Sequence, residues 1–226
     1  MRDEQLIHGE RRRGRGALSN TEGRFERHDR VAADDGWGSL ETLDGFATET
    51  RIEQARSIIS HNDSPDLSFD QSINPYRGCE HGCIYCYARP THAFLGHSPG
   101  LDFETKLYAK TNAAEVLEAE LAKPGYVAKT IALGAVTDPY QPIERTYEIS
   151  RQVLEVMERT AHPVGIVTKS ALVVRDLDIL RRLAERNLVR VALSVTTLDR
   201  HVARVMEPRA ATPARRLDAI RQLSDA

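Results

Sequence analysis

The chain of 226 residues lacks any long apolar run, and Ile131–Val136 and Ala171–Val174 are typical of its longest apolar stretches. None approaches the roughly 20 residues that a membrane-spanning helix needs. The charged start Met1–Gln5 is not followed by the apolar segment of a secretory signal. The net charge is only −2, which excludes a global polycation but leaves room for a local basic groove. We therefore expect a cytoplasmic protein that does not act at a membrane.

Cysteine is scarce, and the three that occur lie close together. Cys79, Cys83 and Cys86 fall within eight residues of one another. An odd number of cysteines at such short spacing cannot form a full disulfide framework. Without a secretion signal, these thiols should remain in a reducing compartment. Three clustered thiols in that setting indicate a metal site.

Residues 1–60 differ in composition from the rest of the chain. Apolar periodicity is weak there, so little buried area can offset the entropy of ordering. We predict a low-order polar tail over residues 1–60, with a short helix near Glu49–Ile59. The basic run Arg11–Arg15 has two interpretations, a contact with RNA or DNA and a solvated tail, and the second is favoured.

Residues 61–226 alternate between strand and helix patterns. Four runs rich in branched apolar residues predict strands, over Phe69–Asn74, Thr130–Val136, Val164–Thr168 and Leu188–Val195. Helical spacing of apolar residues predicts helices over Thr111–Ala122, Tyr147–Thr160, Asp176–Arg186 and Pro213–Leu223. The alternation predicts an α/β fold with parallel strands, joined by right-handed crossovers and buried on both faces. Functional groups in such folds lie at the carboxyl ends of the strands.

The spacing Cys79-x3-Cys83-x2-Cys86 predicts a [4Fe–4S] cluster. Thiolates are the ligands that such clusters need, and three of them leave one iron open for a ligand that is not protein. Gly78 and Gly82 permit the backbone angles that a loop around a cluster requires.

Zinc is the competing interpretation of the same loop, because His81 lies within it and Cys3His is a known structural zinc set. His81 is only two residues from both Cys79 and Cys83, whereas zinc ligand pairs usually have two to four residues between them. A third and weaker interpretation is that the three thiols are free and buried.

The cysteine motif, with Tyr85 directly before its last cysteine, resembles the signature of the radical S-adenosylmethionine (SAM) superfamily. Further strings resemble the branch that includes spore photoproduct lyase and DNA-repair-photolyase-like proteins: Asn74–Cys79, Cys86–Ala88, Thr137–Pro142, and Arg204–Pro208 followed by Thr212–Pro213. The resemblance covers about residues 67–226. It implies a partial (β/α) barrel core over residues 61–226. Because this superfamily usually has six strands and only four are predicted, we expect a barrel that is incomplete at its C-terminus, with an exposed edge on the fourth strand.

The resemblance also implies a chemistry and its cofactors. The cluster and SAM together would yield methionine and a 5′-deoxyadenosyl radical, with flavodoxin or ferredoxin as electron donor. Cys79, Cys83 and Cys86 would hold the cluster. The expected SAM contacts are Tyr85 near the adenine, Thr137 and Asp138 at the methionine amine, Lys169 at the carboxylate, and Ser194 or Thr196 at the ribose.

Each expected SAM contact has a structural alternative. Asp138 is equally a turn residue before Pro139, Lys169 a solvated residue at a strand end, and Ser194 a partner for backbone groups. His81 is expected at the loop surface and Glu207 as an ordinary loop acid.

Tyr85 and Tyr87 match tyrosines that are implicated in hydrogen transfer in spore photoproduct lyase, and we predict both as catalytic. That enzyme uses a further cysteine to return a hydrogen atom, and this chain has none beyond the three of the motif. The resemblance therefore predicts a radical SAM enzyme, lyase-like and with nucleic acid as a candidate substrate, but not thymine-dimer repair. The alternative function is a non-catalytic, metal-stabilised module that binds nucleic acid.

Overall fold

A computed structural model describes residues 14–21 and 47–226 of the chain. Its strands are β1 (Glu49–Ile52), β2 (Ile59–His61), β3 (Gln71–Ile73), β4 (Tyr76–Arg77), β5 (Lys106–Ala109), β6 (Ile131–Leu133), β7 (Val164–Thr168) and β8 (Val189–Leu193). Its α-helices are α1 (Asp102–Thr105), α2 (Ala113–Leu121), α3 (Glu144–Tyr147), α4 (Ile149–Arg159), α5 (Leu177–Ala184), α6 (Arg200–Met206) and α7 (Pro213–Ser224). Two 3₁₀ helices cover Arg89–Leu95 and Ala171–Asp176.

The main sheet has the strand order β2-β3-β6-β7-β8. Its last four strands are parallel neighbours, as predicted, and β2 pairs with β3 in the antiparallel sense. The register aligns Gln71, Ile131, Val164 and Val189 across the sheet. The carboxyl ends of the four parallel strands therefore share one edge, and the loops that follow them meet there.

The two faces of this sheet differ in burial. Side chains such as Leu133 and Ile166 are fully buried beneath the helices. On the opposite face Gly165, Val167 and Ala192 line a cavity of about 590 Å³, and Val167 is 52 % exposed. The prediction that the strands are buried on both faces is therefore wrong for β7 and β8, since the helices pack against one face only.

The helices follow the predicted stripes of apolar residues. Ile149, Val153, Leu154 and Met157 of α4 are all fully buried, and α7 begins with Pro213, whose fixed φ suits the first helical turn. Among the described residues, no helix is both long enough and apolar enough to cross a membrane.

A second, three-stranded sheet has the order β1-β5-β4 and leads into the cysteine loop. The helix predicted near Glu49–Ile59 is wrong, because Glu49–Ile52 pairs in parallel with Lys106–Ala109, far away in the sequence. Strand pairing of this kind overrides a local helix signal. The antiparallel pair of β4 with β5 places Arg77 opposite Tyr108, directly before the cysteines.

Residues 14–21 pack against the core, so the predicted low-order tail does not describe them or the strands β1 and β2. Arg15 is buried; its Nη1 donates to the carbonyl oxygen of Glu104 at 2.9 Å and its Nη2 to Thr48 Oγ1 at 2.9 Å. Burial lowers the pKa of Arg15, with the nearby Arg209 acting in the same direction. The remainder of the basic run, Arg11–Arg13, lies outside the described residues.

Candidate active site

The cysteine loop begins directly after β4 and is held to α1 by its backbone. Cys79 N–H donates to the carbonyl oxygen of Phe103 at 2.9 Å, and Cys86 N–H donates to the carbonyl oxygen of Cys83 at 3.3 Å. Gly78 and Gly82 have φ values of 74° and 65°, which an L side chain rarely adopts. The sequence prediction that these glycines shape the loop is confirmed.

All three cysteines are free thiols; Cys79 and Cys83 are buried and Cys86 is half-buried. Burial raises the pKa of Cys79 well above its usual value. Burial also raises the pKa of Cys83 to about 11, although the ammonium of Lys169 opposes this shift. A metal centre on this loop must therefore displace protons from buried thiols, and its binding should release them.

Within residues 14–21 and 47–226, no three His, Cys, Asp or Glu side chains converge closely enough to hold a single metal ion. A cubane cluster makes a different demand, because each thiolate binds its own iron corner and the three sulfurs surround the cluster. His81, expected at the surface, is instead buried, with its Nδ1 3.3 Å from Asp138 Oδ2. His81 therefore has an acidic partner outside the cysteine set.

Glu104 of α1 connects residues 14–21 to the cysteine loop through hydrogen bonds. Its side chain is fully buried, and its carboxylate accepts hydrogen bonds from Gly16 N–H at 3.0 Å and Ala17 N–H at 2.8 Å. Arg89 Nη2 donates to the same carboxylate at 2.7 Å and also to the carbonyl oxygen of Cys83 at 2.9 Å. Glu104 thus joins the N-terminal segment and the cysteine loop through charge-assisted hydrogen bonds.

The N-terminal segment also touches the loop directly. A Cβ atom at Gly16 would stand 1.8 Å from the carbonyl oxygen of Gly82, so only glycine permits this approach. No local sequence pattern indicates either contact, because the partners are far apart in the chain: Gly82 is more than sixty residues from Gly16, and Glu104 is more than eighty residues from residues 16 and 17.

Gln141, in the loop after β6, clamps the cysteine loop from the other side. Its Nε2 donates to the carbonyl oxygen of Gly78 at 3.0 Å, and its Oε1 accepts from Glu80 N–H at 3.0 Å. Gln141 was not among the predicted site residues, although it lies in the string Thr137–Pro142 that carried part of the resemblance.

Asp138 accepts hydrogen bonds from groups near the carboxyl ends of β6 and β7. Its carboxylate accepts from Thr168 Oγ1 and Lys169 N–H, both at 2.7 Å, and from Tyr140 N–H at 2.9 Å. Burial acts to raise the pKa of Asp138, but the His81 ring and these hydrogen bonds outweigh it and lower the pKa. In this arrangement Asp138 ties the ends of β6 and β7 to the cysteine loop.

Thr137 and Ser194 also make inward contacts. Thr137 is buried, and its hydroxyl donates to the carbonyl oxygen of Tyr76 at 2.9 Å. Ser194 N–H donates to the carbonyl oxygen of Thr168 at 2.9 Å, and the Ser194 carbonyl accepts from Arg216 Nη1 at 2.8 Å. The bond from Ser194 to Thr168 continues the parallel ladder of β7 and β8 past the strand ends.

Three of the predicted site residues meet at one point on the rim. Tyr85 Oη lies 3.1 Å from Thr196 Oγ1 and donates to Glu207, and Lys169 Nζ lies 5.9 Å from the centre of the Tyr85 ring. Burial, together with the hydrogen bond to Glu207, raises the pKa of Tyr85. Tyr87 stands apart, 74 % exposed, with its hydroxyl donating to the carbonyl oxygen of Ala135 beyond β6.

Glu207 is buried, contrary to the expectation of an ordinary loop acid. Its carboxylate accepts from Thr196 Oγ1 at 2.7 Å and from the buried Arg216 Nη2 at 2.5 Å. Burial acts to raise the pKa of Glu207, but the hydrogen bonds from Tyr85, Thr196 and Arg216 lower it. Glu207 therefore fixes the orientation of the Tyr85 side chain at the rim.

The cysteine loop, the strand ends and the buried acids that join them occupy the part of the chain that a known family covers. Residues 73–226 match the family model described as the Radical SAM superfamily. The chain belongs to the radical SAM superfamily. The predicted fold class, an α/β partial barrel of the radical SAM type, is confirmed.

Relatives of this chain occur in mycobacteria and in a virus. An uncharacterized protein of Mycobacterium tuberculosis is 41 % identical over 154 residues, which are 68 % of this chain and 45 % of that protein. Uncharacterized protein ORF301 of Acidianus two-tailed virus is 30 % identical over 169 residues, 71 % of this chain and 53 % of that protein. The chain spans about half the length of these relatives.

Solved structures of spore photoproduct lyase share the radical SAM fold of this chain. A mutant of that enzyme matches with a TM-score of 0.56 at 20 % identity, over 78 % of this chain and 48 % of the enzyme. A mutant with bound AdoMet and dinucleoside spore photoproduct matches with a TM-score of 0.56 at 19 % identity, over 82 % and 54 %. At this identity the likeness establishes the fold.

Proposed function

We propose that Cys79, Cys83 and Cys86 hold a [4Fe–4S] cluster whose open iron binds SAM. The observation that carries the proposal is the position of three free thiols on one shaped loop, at the edge where the parallel strands end, in a chain of the radical SAM superfamily. When bound, the cluster supplies the electron that cleaves SAM to methionine and a 5′-deoxyadenosyl radical.

The rim residues have separate roles in this proposal. Tyr85 and Thr196 lie together and are assigned to the adenine and the ribose. Lys169, beside Tyr85, supplies a positive charge for the methionine carboxylate. Glu207 holds Tyr85 in place and is a positioning residue. Thr137, Asp138 and Ser194 stay as predictions for SAM, and Asp138 would have to share its carboxylate with its present donors to accept the methionine amine.

The substrate is proposed to be a nucleic acid. Support comes from the fold likeness to spore photoproduct lyase, one of whose structures is a complex with dinucleoside spore photoproduct. Tyr85 and Tyr87 remain the candidates for hydrogen transfer, and the exposure of Tyr87 leaves its ring accessible to a substrate. We propose the cytoplasm as location, where free thiols persist, and flavodoxin or ferredoxin as electron donor.

A non-catalytic, metal-stabilised nucleic-acid module is the alternative function. In that hypothesis the Arg-rich run holds the nucleic acid, and the metal only stabilises the fold. The burial of Arg15 against Glu104 removes one of the arginines of the run from solvent and weakens this alternative.

Anaerobic reconstitution with iron and sulfide tests the proposal. We expect brown protein with about four iron and four sulfide per chain, and 5′-deoxyadenosine on addition of SAM and dithionite. Cys83→Ser should abolish both, whereas Ser60→Ala, on the edge strand β2, should change neither. Colourless protein with stoichiometric zinc, or a brown protein that leaves SAM intact, would contradict the proposal.

A further inference from the structure

A second pocket opens beside the cysteine loop, between three loops at the carboxyl edge of the main sheet. Its volume is about 290 Å³. The loops that form it follow β6, follow β7 and precede α7. The groups that line it include His81 and four arginines, and no Asp or Glu is among its lining residues: Arg145, Arg175, Arg209 and Arg215 supply the guanidinium groups.

Two of the four arginines are neutralised by acids behind the pocket wall. Arg175 Nη2 lies 2.7 Å from Glu144 Oε1, and its Nε lies 2.8 Å from Asp176 Oδ1. Arg209 Nη2 lies 3.2 Å from Glu80 Oε1. These pairs fix the two guanidinium groups in place and leave the pocket without a surplus of negative charge.

The other two arginines keep their charge. Arg145 and Arg215 are exposed, and neither forms an ion pair with an acid in the described part of the chain. Asp218, the acid on α7 that interacts with Arg215 at longer range, already accepts from Arg221 and Gln222. The pocket therefore carries a net positive charge.

The start of α7 adds to this positive field. The helix has twelve residues, no acidic residue in its first turn and no side-chain cap from Thr212. Arg215 stands in that first turn, where the helix dipole disfavours a cation. An anion in the pocket would offset this repulsion and would accept hydrogen bonds from the guanidinium groups.

We propose that this arginine pocket binds a phosphate group. Guanidinium groups from separate segments of the chain suit an anion that offers several oxygens in a tetrahedral arrangement, and they bind phosphate through paired N–H donors. The volume is at the lower end for small-molecule pockets, enough for a phosphate with part of its ester. Two sources share this chemistry, the backbone of a nucleic-acid strand and a free phosphate. None of the three cysteines lines the pocket, so the proposal does not rest on SAM cleavage.

The test compares two double variants of equal charge. Arg145→Gln with Arg215→Gln removes the two unneutralised cations of the pocket, and Arg56→Gln with Arg159→Gln removes two exposed arginines elsewhere. Binding of a fluorescent single-stranded DNA is followed by anisotropy against salt. Binding of inorganic phosphate is followed by ³¹P NMR line broadening at constant ionic strength. SAM cleavage without DNA is measured on the same reconstituted preparation.

We expect the pocket variant to bind DNA at least tenfold more weakly than the control variant. We also expect the slope of log K against log salt to become shallower by about 0.7, the contribution of one phosphate on a single strand. The ³¹P line broadening of inorganic phosphate should also be smaller with the pocket variant than with the control variant. Loss of phosphate binding with unchanged DNA binding supports the pocket and assigns it to a free phosphate.

Equal behaviour of the two double variants in both binding experiments overturns the proposal. A fall of SAM cleavage in the pocket variant alone also overturns it, because the arginines would then hold the SAM carboxylate. A preparation that binds phosphate through the pocket but does not cleave SAM leaves this proposal standing and refutes the proposed function alone.

Discussion

The buried carboxylate of Glu104 should be a main determinant of how firmly the cysteine loop is held. We predict that Glu104→Gln destabilises the protein although it preserves the shape of the side chain. From the described residues, the carboxylate accepts from Gly16 N–H, Ala17 N–H and Arg89 Nη2. Glutamine offers only one acceptor oxygen, and its amide group would face a donor that can no longer be satisfied.

The magnitude follows from the loss of a buried partner. Removing one member of a buried ion pair costs about 3–5 kcal/mol. Arg89 is 14 % exposed and keeps its hydrogen bonds to the carbonyl oxygens of Cys83 and Gly100, so the lower end applies. With a urea m-value of roughly 3 kcal/mol/M, a loss of about 3 kcal/mol in the free energy of unfolding lowers the midpoint by about 1 M.

Urea unfolding followed by circular dichroism measures this shift. Glu49→Gln is the control, because Glu49 pairs with Arg51 on an exposed strand and its removal should leave the midpoint in place. The thiol of Cys83 should also react faster with a thiol reagent in the Glu104 variant. A Glu104→Gln protein with the wild-type midpoint and wild-type thiol reactivity would show that the loop is held in another way.

Three further predictions concern the same region of the fold. In urea unfolding, Gly82→Ala should lower the free energy of unfolding by about 1 kcal/mol or more beyond the loss caused by Gly125→Ala. Both glycines have positive φ, but of the two only Gly82 would bring an added Cβ to 2.8 Å from a buried carboxylate oxygen. Equal losses would refute the contact. Arg216→Met should lower the free energy of unfolding by about 3–5 kcal/mol, because it leaves the buried Glu207 carboxylate without its cation. Adding Glu207→Leu should recover much of this loss, and no recovery would refute the pairing. Burial lowers the pKa of His92 to about 4. As the pH falls below about 6.5, His92 is therefore protonated in the unfolded chain but stays neutral in the folded protein. Stability should therefore fall by up to about 3 kcal/mol between pH 6.5 and 4, and His92→Gln should lose this part of the pH dependence.

The four parallel strands could be predicted because each is a run of branched apolar residues between turn signals. β7 was predicted at its observed bounds, Val164–Thr168, and β8 within two residues at each end. Their shared carboxyl edge then followed from the fold class alone. The cysteine loop could be predicted because its ligands are contiguous in sequence.

The supports of the site could not be predicted in the same way. Glu104 has no local signal, since its role depends on residues 16 and 17 and on an arginine fifteen positions before it. β1 has too few apolar residues to indicate a strand, and it forms through its pairing with β5. His81 and Glu207 look like surface residues by type, and only their buried partners explain where they lie.

The glycine contact between residues 16 and 82 has a practical consequence for expression. The family match begins at residue 73, which invites a clone that starts there. Such a clone would leave out Gly16, Ala17 and the strands β1 and β2. It would expose to solvent the side of the cysteine loop, at Gly82, that Gly16 covers. The boundary suggested by similarity is therefore narrower than the part of the chain that packs around the thiols.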